Sequence, residues 1–189
     1  MSRQPTWNLA QKLQGRMFES AAALGGLDVQ LVYFRGFNEC RSSRFVAGGE
    51  GLSGLMTKID VQGGHTQIAR VLRHVRDETR RMPVGALIYV GDAMEEQADE
   101  LAQLAGEIGL LGVKAFMFHE GRDPVAERCF RDIARLTGGA YSSFDIHAPD
   151  RLAALLSAAA VYAAGGRAAL ERHALAGAAE AQALLTQMR

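Results

Sequence analysis

The sequence predicts an α/β fold: an open, doubly wound, mostly parallel sheet with helices on both faces. Three observations carry that expectation. Residues 84–90 form a near-continuous apolar run, and in a compact domain such a run is buried on both faces, as parallel strands are. Helix-period segments alternate with strand-length ones from residue 68 to residue 164, the pattern of right-handed crossovers between parallel strands. Finally, 189 residues with 48% hydrophobic content supply enough apolar surface for one sizeable core.

Leu9, Leu13, Met17, Ala21 and Leu24 recur at helical spacing and Gly25-Gly26 follows as a stop, which predicts a helix of about 20 residues after Pro5. Residues 29–34 are short, β-branched and aromatic, as a buried strand is. A second strand over 40–47 carries Arg41-Ser42-Ser43-Arg44, the polarity of a sheet edge. A short helix over 52–59 then leads to Gly63-Gly64, after which Ile68, Val71, Leu72 and Val75 mark one apolar helix face that ends before Pro83. Strand 84–90, helix 95–108, strand 113–118, helix 124–136, strand 140–144 and helix 149–164 follow. Residues 1–165 thus read as one domain. The remainder, 166–189, is an alanine-rich helical extension with Leu170, Leu184, Leu185 and Met188, interrupted near Gly177.

Composition removes several function classes. Lysine plus arginine and aspartate plus glutamate both count 21, so nothing favours nucleic acid or an anionic membrane as partner, and near-neutral charge permits self-association. Cys40 and Cys129 fit neither a disulfide framework nor a zinc spacing and read as free thiols. With no uninterrupted apolar span and no apolar signal core behind Met-Ser-Arg-Gln-Pro, a cytoplasmic location is expected. His65, His74, His119, His147 and His173 show no metal-ligand spacing, and no phosphate-binding glycine loop is present. Glu95-Glu96 and Asp99-Glu100 read as a solvated helix face. Ser42-Ser43 and Ser142-Ser143 have no base nearby, so the chain carries no catalytic signature and a non-enzymatic role is expected.

Two segments stand out against this background. Gly63-Gly64-His65-Thr66 opens a helix, and Gly91-Asp92 closes the strand 84–90. In open parallel sheets ligands gather at the carboxyl ends of strands, and a hydroxyl with a carboxylate suits a hard cation such as Mg²⁺. Either residue could equally cap a helix, Thr66 its own and Asp92 the next. Spacing alone leaves both readings open.

The order of residues 27–34, then Gly63-Gly64-His65-Thr66-Gln67-Ile68, then Ala86-Leu87-Ile88-Tyr89-Val90-Gly91-Asp92, resembles a von Willebrand factor A domain. Residues 109–118 are similar to that family's fifth strand and its lead-in, and 131–141 to its following helix, Gly-Gly turn and sixth strand. The resemblance implies a Rossmann-like sheet and a metal-ion-dependent adhesion site, in which a bound Mg²⁺ (or Mn²⁺ or Ca²⁺) accepts a partner's Asp or Glu carboxylate. It matches Thr66 to the family's second metal loop and Asp92 to the third.

The first loop, Asp-x-Ser/Thr-x-Ser, is where the sequence departs. Ser2 stands about where the motif's last serine precedes its helix, which puts the aspartate and the first strand upstream of Met1 and implies a start at an internal methionine. In the family that strand is central, between those expected at 29–34 and 84–90. Its loss leaves two inward edges unpaired, and at about 1–3 kcal/mol for each buried unsatisfied group several of them rival a domain's stability of roughly 5–15 kcal/mol. The gap then closes, is filled by another chain (a homodimer through it being one form), or leaves the chain marginal. With Ser2, Thr66 and Asp92 as the only ligands, metal affinity is expected to be impaired.

Bacterial proteins resembling this domain often serve as partners of AAA-type ATPases, which makes an interaction module the leading expectation. Two alternatives stand beside it. One is a metal-assisted α/β hydrolase using Asp92; the other is a metal-free scaffold that binds through an apolar stripe on the helix from Arg167.

Overall fold

The computed structural model describes residues 4–60 and 62–188. The spacing of Leu9, Leu13 and Met17 folds as α1 (Gln4–Ala22), which Gly25 and Gly26 terminate at φ 103° and 89°, a region open to glycine but costly for other residues. There follow β1 (Asp28–Val29), β2 (Val32–Arg35), β3 (Glu39–Ser42), β4 (Val46–Ala47), α2 (Gly49–Met56) and α3 (Ile68–Arg81). The expected alternation comes next: β5 (Ala86–Gly91), α4 (Ala98–Leu110), β6 (Lys114–Glu120), α5 (Pro124–Thr137) and β7 (Ala140–Phe144). Last are α6 (Pro149–Leu175) and α7 (Ala179–Leu185).

The fold is mixed α/β, with a three-stranded parallel sheet in the order β5-β6-β7 flanked by helices. Residues 28–47 do not join it. They form two separate antiparallel pairs, β2 with β3 and β1 with β4, so the single strand expected over 29–34 breaks into two pieces. At that break Leu31 N–H donates to the Ser43 hydroxyl (3.0 Å) and Leu31 C=O accepts from Ser43 N–H (2.8 Å).

Between β2 and β5 lies a cavity of about 510 Å³, walled by α1 on one side and α3 on the other. Its presence explains a departure from expectation in β5. This strand was expected to be buried on both faces, yet only Tyr89 and Gly91 are buried in it, whereas every residue of β6 after Lys114 is buried. An apolar run reports that a strand is suited to the centre of a sheet; whether a neighbour is present on each edge is a separate matter.

Strand alternation divides the core in two. Ala115 and Met117 of β6 face Leu72, Leu101, Ile108, Phe130 and Ile133 from α3, α4 and α5. Phe116 and Phe118 face the opposite way, onto Leu152, Leu155, Leu170 and Leu184 from α6 and α7 together with Leu13 and Met17 of α1. A third cluster, Trp7, Ala10, Leu52 and Met56, lies under the β2 strand. The start of α1 is tied to the sheet where the buried Thr6 hydroxyl donates to the Glu120 carboxylate at the end of β6.

The C-terminal residues are part of this core. The helices expected on either side of residue 165 run together as α6 across a break at Gly166 (φ 66°, ψ −166°). Leu170, Ala181, Leu184, Leu185 and Met188 are buried. Beyond α7 the Gln187 amide accepts from Tyr141 N–H and donates to Tyr141 C=O, both at 3.0 Å, so one side chain supplies the outer edge of β7 with a strand-like pair of bonds. By length and composition α6 could cross a membrane, with a mean hydropathy of 1.4 over its window, but half of that window is buried inside the fold, as in a core helix.

Candidate functional site

Thr66 and Asp92 come together. Both line a small pocket of about 50 Å³ at the C-terminal ends of β2 and β5, with Arg35, Gly36, His65 and Glu95 around them. The turn carrying Thr66 is held against the end of β2 because Gly64 lacks a side chain: a Cβ there would overlap the Gly36 carbonyl. Ser2 lies outside the described residues.

Neither Thr66 nor Asp92 is a helix cap. The Thr66 hydroxyl accepts from Glu95 N–H (3.1 Å), while Thr66 N–H donates to the Glu95 carboxylate (3.1 Å), a reciprocal pair that locks the two loops together. The N-cap of α3 is Gln67, which makes no side-chain cap bond. Its role passes to Glu96, whose carboxylate accepts from Ile68 N–H (2.5 Å) and Ala69 N–H (2.9 Å). Helix α4 begins only at Ala98, six residues past Asp92, with Gln97 as its N-cap.

The Glu95-Glu96 pair is therefore the largest correction at the site. The pair precedes α4 rather than lying on its face: Glu95 stays exposed and bonds Thr66 N–H, while the half-buried Glu96 clamps the N-terminus of α3, where a carboxylate meets unpaired N–H groups and the positive end of the helix dipole. Replacing Glu96 by alanine leaves the Ile68 and Ala69 N–H groups without their carboxylate and is expected to cost about 1–2 kcal/mol. A urea titration followed by circular dichroism measures it, and Glu96→Gln should restore roughly half of the loss.

Behind the pocket lie groups whose charged forms burial disfavours. Burial, followed by the nearby Glu96 and Asp92 charges, holds the Tyr89 hydroxyl far above its ordinary range. Burial likewise raises the Cys40 thiol and pushes Cys129 up to about 11, which disfavours the thiolate of both. His119, fully buried at the end of β6, shares a hydrogen bond with the Tyr141 hydroxyl (3.0 Å) and packs edge-on to Phe130. Burial depresses its pKa, opposed by the Asp92 main chain and by the charges of Glu127, Asp123 and Asp92.

The pH consequence has a definite sign. Because His119 is harder to protonate folded than unfolded, its contribution is intact above about 6.5 and drains as the pH falls toward the folded value. Calorimetric melting points are expected to fall between about pH 7.5 and 5.5, and His119→Gln should flatten that slope. An unchanged slope in the variant would assign the effect elsewhere.

Chemically, the pocket is lined by the Thr66 hydroxyl, which accepts from Glu95 N–H, and by the Asp92 carboxylate, and the Glu95 carboxylate beside them is engaged by Thr66 N–H and His65 Nδ1 (3.2 Å). Among the described residues no three His, Cys, Asp or Glu side chains converge as a metal-ligand group. The space admits an ion and a water or two, but Mg²⁺ keeps six oxygens about it and most would have to be water. Two protein oxygens would hold such an ion only loosely. No protein-family model matches the chain, and no curated protein matches it.

Proposed function

We propose that this chain is a protein-interaction module of the von Willebrand factor A type, without enzymatic activity, whose working edge is the pocket between Gly36, Thr66 and Asp92. A divalent cation, Mg²⁺ or in its place Mn²⁺ or Ca²⁺, sits there loosely and takes an Asp or Glu carboxylate from a partner protein, an AAA-type ATPase being the kind of partner proposed. The observation that carries this reading is the meeting of Thr66 and Asp92 in one pocket at the strand ends. The reciprocal bonding of Thr66 and Glu95 holds the hydroxyl in place. The scaffold alternative has less apolar surface to work with, because Leu170, Leu184, Leu185 and Met188 are buried in the core while Leu175 stays exposed.

Titration calorimetry with Mn²⁺ tests the proposal. Binding is expected on the order of millimolar, and Asp92→Ala should weaken it at least about tenfold while the melting temperature stays put. No heat from the parent chain, or the same isotherm from the variant, rules out the metal bridge.

A further inference from the structure

The turn between β2 and β3 sets a large apolar side chain beside the Thr66 and Asp92 pocket. Gly36 lines the pocket, and Phe37, the next residue, is 71% exposed. Consecutive Cα atoms lie about 3.8 Å apart, so the ring stands at the pocket's rim. Its one ring partner among the described residues is His65, which also lines the pocket: the centroids are 5.1 Å apart and the rings meet edge to face at 61°. That contact hides neither ring, since the His65 side chain is itself 66% exposed. Glycine, asparagine or aspartate would suit such a turn better on backbone grounds. Nor does packing account for the phenylalanine, which belongs to none of the three core clusters.

The turn is tied down. The Gln67 amide donates to the Arg35 and Gly36 carbonyls (3.4 and 3.5 Å), and Arg70 Nη1 donates to the Asn38 carbonyl (2.7 Å). Phe37 is therefore presented from a fixed frame, which spares a partner the entropy of ordering it. Charge marks the same rim. Arg35 and Arg41 share the Glu39 carboxylate at 2.8 and 3.5 Å, and the hydrogen bonds of Arg70 go to neutral acceptors, the Asn38 carbonyl and the Gln67 side chain. With Asp60 as the other acidic group beside Arg35, the hairpin and Arg70 keep an excess of positive charge. An acidic segment suits that rim whether or not a cation occupies the pocket.

We propose that Phe37, His65 and Arg70 form a ledge that selects the segment engaged by the pocket. What fits is an extended stretch of another protein with an aromatic or aliphatic residue about one or two positions from its Asp or Glu, and a further acidic residue in reach of Arg70. The inference rests on the reading of the pocket as a carboxylate site and adds the residues that choose among carboxylates. Acidic side chains are common on protein surfaces, so the pocket by itself discriminates little. The apolar neighbour covers Phe37, and the His65 ring adds a direction. Its Nδ1 lies 3.2 Å from the Glu95 carboxylate, an acceptor, so Nδ1 carries the proton and in the neutral ring Nε2 is left to accept a main-chain N–H from the segment.

A library of random peptides displayed on phage and panned on the full chain in Mn²⁺ tests this. Enriched sequences are expected to pair Asp or Glu with an aromatic or aliphatic residue at that short spacing. Enriched peptides, synthesised with a fluorescein label and measured by polarisation, should bind Phe37→Ala at least about tenfold more weakly, and Phe37→Tyr should restore most of the binding. Because the side chain is exposed, Phe37→Ala is expected to leave the melting temperature and the Mn²⁺ isotherm unchanged, which a merely structural role would not allow. Panning on Arg70→Gln should lose the preference for a second acidic residue and keep the first.

Acidic sequences with no apolar preference, or equal binding by Phe37→Ala, overturn the ledge and leave the carboxylate reading standing. An unchanged second acidic preference on Arg70→Gln overturns the part given to Arg70. Apolar sequences without an acidic residue, bound equally in EDTA and by Asp92→Ala, sink the carboxylate reading and the ledge with it. No enrichment at all overturns the ledge, while the Mn²⁺ calorimetry still decides the metal. Self-association of the peptide-free chain in the ultracentrifuge, abolished by Phe37→Ala, overturns it in favour of a second copy.

Discussion

Replacing Phe116 by alanine is expected to cost about 3–5 kcal/mol, a large share of the roughly 5–15 kcal/mol of an ordinary domain. Phe116 is fully buried in the middle strand of the parallel sheet, paired in register with Ile88 on β5 and Ala140 on β7. Its ring packs edge-on against Tyr162 of α6, with centroids 5.3 Å apart, and belongs to the cluster that also holds Phe118, Leu152 and Leu155. Truncation removes apolar area and leaves a hole that main chain fixed on both sides cannot close. Thermal melts should show a drop of about 10 °C for a chain of this size. Leu110→Ala, at a residue 92% exposed, is the control and should stay within about 0.5 kcal/mol. A drop for Phe116→Ala no larger than the control's would mean that this face of the sheet is not packed as described.

Much of the fold was legible because its signals are local. The spacing of Ile68, Val71, Leu72 and Val75 marks α3, and the stop at Gly25-Gly26 marks the end of α1. Asp123 followed by Pro124 begins α5 as such a pair should, the carboxylate accepting from Val125 N–H and Ala126 N–H, both at 2.8 Å. What misled were matters of partnership. Residues 29–34 have strand chemistry throughout, yet a strand without a neighbour on one edge is free to break, and it breaks where Ser43 takes both main-chain groups of Leu31. In the same way the apolar run at β5 carries no record of its empty edge.

At the site, Thr66 and Asp92 were found from their places at element ends, and the structure brings them into one pocket. Glu95 and Glu96 were missed because acidic pairs near a helix are usually solvated. The signal that could have found them lay elsewhere in the sequence. Helix α3 starts with no acidic residue in its first turn and no capping bond from Gln67, so its N–H groups had to be met from another segment. The acidic pair after Asp92 is the carboxylate supply the sheet brings there. His119 left no sequence signal, since its importance comes from burial against Tyr141 and Phe130, on different elements.

Gly139→Val should be as damaging as the loss of Phe116, about 3 kcal/mol or more, for a reason that involves no lost contact. Gly138 and Gly139 look alike in sequence but serve different needs. Gly138 ends α5 at φ 64°, the left-handed conformation that turns the chain back toward the sheet. Gly139, buried and just ahead of β7, needs the absence of a side chain: any Cβ there would overlap the Ala115 carbonyl on β6.

Ala115 cannot move aside. Its N–H donates to the Thr137 hydroxyl (3.1 Å), which itself donates back into the last turn of α5, and β6 is held by β5 on its other edge. The strain must therefore be relieved by separating β7 from β6, which also withdraws Tyr141 from His119 and from the Gln187 amide. Gly64 meets the Gly36 carbonyl just as closely, yet it sits in an exposed loop that can shift, so Gly64→Val should cost less stability while displacing Thr66 from Asp92. Parallel urea melts and Mn²⁺ titrations of the two variants test the distinction: Gly139→Val should lose stability first, and Gly64→Val should lose metal binding in a chain that still melts cooperatively. Equal melting points would mean that the close approach of Gly139 to Ala115 is not under load.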